Sequence, residues 1–355
     1  MQHVPPTPDG RQTWIDLLRG ASVLLVILFH SLDFALASAG RGSPSVQGST
    51  LLQAVDLFNG TMGPIRMELM FLLSGVFVGH GLRKGKTKYI TGKIHNVLYP
   101  FVVWALINFA LHTSGSVLIK GEPIAWRNLV DLLLGDGPPT WFLFDLFACF
   151  LIVPFIRQFP PLLVLPLLAC GSLSLSGAEL GRGADFLYYL AYFYSGDFIA
   201  CSRWNPGTRW GHWGLLASGS CIVGIVMLAN RTHFEHTWIG YLPLVLGSLP
   251  LIVRVSMLAV RTPLAAPLIY AGRNSIVFYL VHFTLFIALV HVLEKLTSDG
   301  PLIFAALLAS GIALPALMSM ARQRPSFAFI DLLFSMRTWA PARNGHALPS
   351  SATST

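Results

Sequence analysis

From Trp14 to Asp33 the chain reads as one almost unbroken apolar run, and comparable runs recur as far as residue 321. A bilayer's hydrocarbon core is about 30 Å thick, and roughly 20 apolar residues in a helix cross it. Backbone polar groups inside that core must be satisfied within the segment, so repeated runs of this length dictate helices. Only 11% of the 355 residues are charged and 54% are hydrophobic, whereas water-soluble domains carry about 25% charged residues. The expected fold class is all-α: a polytopic membrane helical bundle of about ten transmembrane helices.

The expected spans fall roughly at 15–37, 64–80, 97–119, 140–157, 159–177, 186–201, 211–229, 237–258, 268–293 and 301–321. The fourth to sixth are short or interrupted by Pro154, Pro166 and Gly196, so one of them is a candidate re-entrant segment. Loop charge orients the set. Arg83, Lys84, Lys86, Lys88 and Lys93 lie between spans two and three with no acid among them, which assigns that loop to the cytoplasm. The later even loops carry Arg157, Arg203, Arg209, Arg254 and Arg261, while most acids sit in odd loops. This predicts a multi-pass protein of the cytoplasmic (inner) membrane with both termini inside. The net charge of +8 is then a topology signal, and no nucleic-acid partner is inferred from it.

The reading gives one membrane domain at 14–325, preceded by a disordered cytoplasmic lead (1–13) and followed by a basic, then disordered, tail (326–355). The first helix is expected to be retained rather than cleaved as a leader, although Ala35-Leu36-Ala37 resembles a cleavage site. Cys149, Cys170, Cys201 and Cys221 sit singly with no C-x-x-C spacing. They read as small core hydrophobes, and no metal site is expected.

Titratable groups inside membrane helices are costly and mark sites by default. Arg19 and His30 are eleven residues apart, which places them within roughly 20° of one helix face and ~16 Å apart along the axis. Snorkelling of Arg19 and simple packing of His30 would explain the same pattern. Arg66 and Glu68 open the second span, where an interfacial ion pair is the plain alternative. Ser74-Gly75 suits either ligand binding or close helix packing. Asp16 precedes Arg19, and Lys93 closes the basic loop, which could hold phosphates or lipid headgroups. Arg273, Ser275 and His282 share the ninth span, Ser275 and His282 being seven apart on one face. Asp145 and Asp197 are intramembrane acids of unknown partner, and Asp33 is a candidate to orient His30.

Four elements occur in order: Ile15-Asp16-Leu17-Leu18-Arg19 with His30, Phe71-Leu72-Leu73-Ser74-Gly75, a basic loop from Lys93 to Pro100, and Gly272 to His282. Together they resemble the integral-membrane acyltransferase-3 family over about 12–325. The Arg66-Met67 lead is similar to the branch that modifies periplasmic glucans. The resemblance implies transfer of an acetyl- or succinyl-class group from cytoplasmic acyl-CoA (acetyl-CoA or succinyl-CoA) to a hydroxyl of an extracytoplasmic glycan or glycolipid. His30 would be general base or acyl carrier, with Arg19 and Glu68 catalytic. Asp16, Arg66, Ser74, Lys93, Arg273, Ser275 and His282 would bind donor or substrate. Membrane lipid is the remaining expected partner, and the oligomeric state is open. The chain departs from the family's Arg-x-x-Arg in having Lys93 and Asn96, a point charge and an uncharged amide in place of two planar forks. Secondary transport or flipping, which also uses broken spans and buried charge, and a silent scaffold are the other function classes this pattern admits.

Overall fold

A computed structural model describes residues 12–121, 123–137, 140–202, 210–231 and 236–336. The expected disordered ends fall largely outside them. Among the described residues there is no strand. In order the helices are α1 (Thr13–Ala39), α2 (Pro44–Gln47), α3 (Thr50–Gly75), α4 (Val78–Arg83), α5 (Lys86–Lys93), a π-helical turn (Ile94–Leu98) and α6 (Tyr99–Lys120). There follow α7 (Trp126–Leu133), α8 (Trp141–Ile156), α9 (Pro161–Gly177), α10 (Gly181–Cys201), α11 (His212–Arg231) and α12 (Tyr241–Ala259). The last are α13 (Ala265–Arg273), α14 (Ser275–Leu296), α15 (Gly300–Ala321) and a 3-10 helix (Pro325–Leu333).

Seven of these segments are long and apolar enough to cross a bilayer: those built on α1, α3, α6, α11, α12, α14 and α15. Among the described residues two shorter apolar helices, α8 and α9, and the 21-residue α10 pack with them, so seven of the ten expected spans meet the length and apolarity a crossing needs. At 1.5 Å per residue the 16 residues of α8 reach about 24 Å, short of the hydrocarbon thickness. The protein is a polytopic helical bundle.

Two boundaries differ from the sequence reading. The second span was expected at roughly 64–80. Instead α3 begins at Thr50, capped by Ser49 Oγ accepting from Leu52 N at 3.2 Å, and Pro64 lies inside it. The ninth span, expected at 268–293, is two helices. Asn274 (φ −109°, ψ 21°) is outside helical geometry and separates α13 from α14. The cysteines also divide: all four are free, but only Cys149 is buried, while Cys170 and Cys201 are exposed.

Paired glycines fix two helix crossings. A Cβ at Gly20 would sit 1.8 Å from the Leu268 carbonyl oxygen, and one at Gly272 equally close to that of Asp16. The α1–α13 contact is therefore backbone against backbone. A Cβ at Gly75 or Gly196 would meet the Phe193 or Leu72 carbonyl oxygen at 2.0 Å, which makes α3–α10 a second such crossing. Small residues give membrane helices this close approach, where dispersion replaces a hydrophobic driving force.

The crossings set the polarity of the bundle. Arg157, ending α8, binds Asp197 near the end of α10 at 3.0 Å, and Gly79 of α4 lies against both. The start of α1 reaches the same end, where the Arg19 guanidinium lies 5.5 Å from the Phe77 ring centroid. The start of α8, the start of α10 and the end of α1 therefore share the opposite end. The chain beyond α15 returns to the first end. Trp104 Nε1 donates to Leu333 O at 2.8 Å, Met336 N to His95 O at 3.1 Å and Ser335 Oγ to Asn96 Oδ1 at 3.0 Å.

Candidate active site

Packing of α14 against α1 brings His30 and His282 together, with ring centroids 5.6 Å apart and planes 32° apart. Phe29 and Phe283 each meet the His30 ring edge-on at 5.0 Å, so its orientation is set by aromatic packing. His282 Nδ1 lies 2.8 Å from the Phe278 carbonyl oxygen. A carbonyl only accepts, so Nδ1 carries the proton, and in the neutral ring Nε2 holds a lone pair. His282 is fully buried, and this Nε2 has no hydrogen-bond partner among the described residues. Buried polar atoms in folded proteins are nearly always bonded, so this nitrogen is an exception that needs an explanation.

From α3, Arg66 enters the same cluster. Its guanidinium carbon lies 3.9 Å above the Phe29 ring centroid, close contact for a cation–π pair. Arg66 is buried and its Nη1 also has no hydrogen-bond partner among the described residues. Glu68, 1% exposed, accepts from Tyr188 OH at 3.0 Å through Oε1, while Oε2 has no hydrogen-bond partner among the described residues. Tyr192 OH is 3.3 Å from Tyr188 OH, which extends the polar chain along α10. His236, in the loop before α12, packs against Gly63 of α3. Partial desolvation there and the charge of Arg66 hold its imidazole below the ordinary histidine range.

An aromatic wall joins the two halves of this cluster. Tyr189 stacks on Phe71 at 4.6 Å, Phe71 meets Phe142 edge-on at 5.1 Å, Phe142 lies 4.9 Å from Tyr279, and Tyr279 meets His282 at 6.0 Å. The wall draws on α10, α3, α8 and α14.

The remaining sequence-predicted residues gather at the end where α1 begins. Arg273 Nε donates to Asp16 Oδ2 at 3.2 Å, an ion pair in which Asp16 is buried and Arg273 is 42% exposed. Lys93 places Nζ 3.4 Å from the Phe150 ring centroid and lies near enough to Arg19 for the two charges to repel. Ser275 opens α14, half-buried, beside this group. Ser74 is different: its Oγ donates to Met70 O of its own helix at 2.7 Å, and it is buried. Its neighbour Gly75 makes the close α3–α10 crossing. Asp33 pairs with Arg41 at 3.0 Å and does not orient His30.

Across residues 12–320 the chain matches the family model described as an acyltransferase domain. It belongs to the acyltransferase-3 family. No curated protein and no solved structure matches it significantly. As a member of that family with this bundle of apolar helices, it is a multi-pass membrane acyltransferase.

The acyltransferase thus holds its polar residues in two groups: His30, His282, Arg66 and Glu68 in the interior, and Asp16, Arg19, Lys93 and Arg273 toward one end. Sequence reading missed Tyr188, Tyr189 and Arg182. The run Tyr188-Tyr189-Leu190-Ala191-Tyr192-Phe193-Tyr194 carried the signal, because tyrosines in an apolar helix need partners for their hydroxyls. The partners of the two intramembrane acids are arginines at helix ends. Asp145 takes Arg182 in a two-pronged pair at 2.8 and 2.7 Å, and Asp197 takes Arg157.

Proposed function

We propose that this acyltransferase moves an acetyl- or succinyl-class group from cytoplasmic acyl-CoA to a hydroxyl of an extracytoplasmic glycan or glycolipid, a glucan being the favoured acceptor. The observation that carries the reading is the histidine pair, with its partnerless Nε2, set between a cation-rich end and an opposite end bearing acids and aromatics. Coenzyme A brings phosphates, and Arg19, Lys93 and Arg273 supply charge-assisted donors for them. Its long arm would run along α1 toward His30, as the ~16 Å axial separation of Arg19 and His30 requires. In the inner membrane with both termini cytoplasmic, the cation-rich end faces the donor.

At the centre, an unprotonated imidazole nitrogen of the pair takes the proton of the acceptor hydroxyl while its oxygen attacks the thioester carbonyl. The C–O bond forms, the C–S bond breaks, and the proton passes to the departing thiolate, which leaves as free coenzyme A. Arg66 Nη1, a buried donor with no hydrogen-bond partner among the described residues, suits the oxyanion that develops on the carbonyl. His30 acts as this base or carries the acyl group transiently. Glu68 positions the acceptor. The reading is tested by feeding inverted membranes carrying the protein with radiolabelled acetyl-CoA and succinyl-CoA and following label into glycans. Label bound through alkali-labile esters is expected with one of the donors. Absence of label from every glycan and glycolipid fraction, with the protein folded and inserted, would overturn it.

A further inference from the structure

At the end remote from the cations, a cavity of about 260 Å³ opens between the starts of α8 and α10. Gly135, Asp136, Gly137, Trp141, Arg182, Asp185 and Tyr189 line it. We propose that this cavity is a saccharide subsite that holds one ring of the acceptor glycan; the choice of ligand class rests on the transfer reaction proposed above.

The lining chemistry selects a neutral polyol. Asp136 and Asp185 present carboxylates, which when ionised only accept, and a sugar ring is dense in hydroxyl donors. Arg182 is the cation among the lining residues, and its guanidinium is already committed to Asp145 at 2.7 and 2.8 Å and to Gly135 O at 3.2 Å. Asp136 and Asp185 both lie within electrostatic reach of Arg182, but neither forms an ion pair among the described residues. A phosphate or other anion entering here would meet two carboxyl groups beside a guanidinium already bonded to Asp145, so the cavity disfavours the donor's charged end. Trp141 provides a flat apolar wall for the C–H face of a pyranose, tilted 34° against Tyr189 at 5.3 Å. The size suits one ring, with the rest of the chain outside.

Position ties the cavity to the chemistry. Tyr189 forms part of the lining, and its neighbour Tyr188 meets it edge-on at 5.2 Å and binds Glu68. One layer of tyrosine therefore separates a bound ring from the buried Glu68 and Arg66. A hydroxyl on the ring held here, or on the next residue of the glycan, is directed toward the interior from the side opposite the donor.

The test uses the full chain in lipid nanodiscs without donor, and saturation-transfer NMR with three probes: maltoheptaose, laminarihexaose and chitohexaose. Saturation of ring protons is expected for at least one of them. Trp141→Ala and Asp185→Asn should each weaken that binding by about tenfold, the equivalent of about 1.4 kcal/mol, and Trp141→Phe should restore most of it. His30→Ala should keep the saturation signal, because binding here needs no transfer chemistry. Glycan turnover with no saturation of any probe, or saturation untouched by both cavity substitutions in a protein that still melts cooperatively, would overturn the subsite. Saturation with no transfer in the wild type would instead overturn the proposed function and leave the subsite standing.

Discussion

Replacing Gly20 by Ala should pry α13 away from α1. The added methyl would lie 1.8 Å from the Leu268 carbonyl oxygen and 2.9 Å from Gly272 N, both backbone atoms with no rotamer to move. Ordinary contact is about 3.5 Å, so the helices must part by roughly 1.7 Å. That separation stretches the Asp16–Arg273 pair, 3.2 Å at present, beyond hydrogen-bonding range. Overpacking of a tight contact costs about 1–3 kcal/mol. Gly272→Ala attacks the same crossing from the other side, so the two should not add. Once one methyl has opened the gap, the second enters for little, and the double variant should lie within about 0.5 kcal/mol of the worse single one. The assay is thermal unfolding of the purified protein in one detergent, followed by tryptophan emission, where a loss of this size should lower the midpoint by roughly 2–10 °C. Single variants that melt with the wild type, or a double variant whose loss is the sum of the singles, would refute the claim that these glycines face each other.

Arg182→Met should destabilise by about 3–5 kcal/mol, because it leaves the 1%-exposed Asp145 carboxylate without its counter-charge; Asp145→Asn in the same background should recover part of the loss, read as the change in melting midpoint. Asn96→Ala removes the acceptor for Ser335 Oγ, so limited proteolysis should cut near 334–336 several times faster than in the wild type; an unchanged rate would show that Asn96 does not anchor this segment. For topology, a cysteine at Lys86 should resist an impermeant maleimide in intact cells while one at Arg41 reacts, and the reverse pattern would invert the orientation assigned from loop charge.

Fold class was legible because the bilayer imposes a length and an apolarity that appear directly in sequence; of the ten expected spans, seven correspond to helices long and apolar enough to cross. The start of α3 was hidden because Pro64 suits a helix start and is also tolerated within a membrane helix, and the residues before it include Asp56, Gly60 and Gly63. The break at Asn274 was hidden for the opposite reason, since nothing in Gly272-Arg273-Asn274-Ser275 forbids a continuous helix. At the site, Arg19 and His30 stood out by shared face on one helix. The encounter of His30 with His282 depends on how α14 crosses α1, which no periodicity reports. The same holds for the cavity beside Trp141: Asp136, Arg182 and Asp185 read as loop or helix-end charges until α8 and α10 are placed side by side.

The most direct test of the account is single-turnover release of coenzyme A from radiolabelled acetyl-CoA by purified protein, with a glycan acceptor, in His30→Ala, His282→Ala and the double variant. If the pair is the proton-transfer centre, each single substitution should slow release by about 100- to 10,000-fold. Because the residues act as a unit, the double variant should be no slower than the worse single one. A His30→Ala protein that keeps its melting temperature and more than half the wild-type rate would remove the histidine pair from the chemistry.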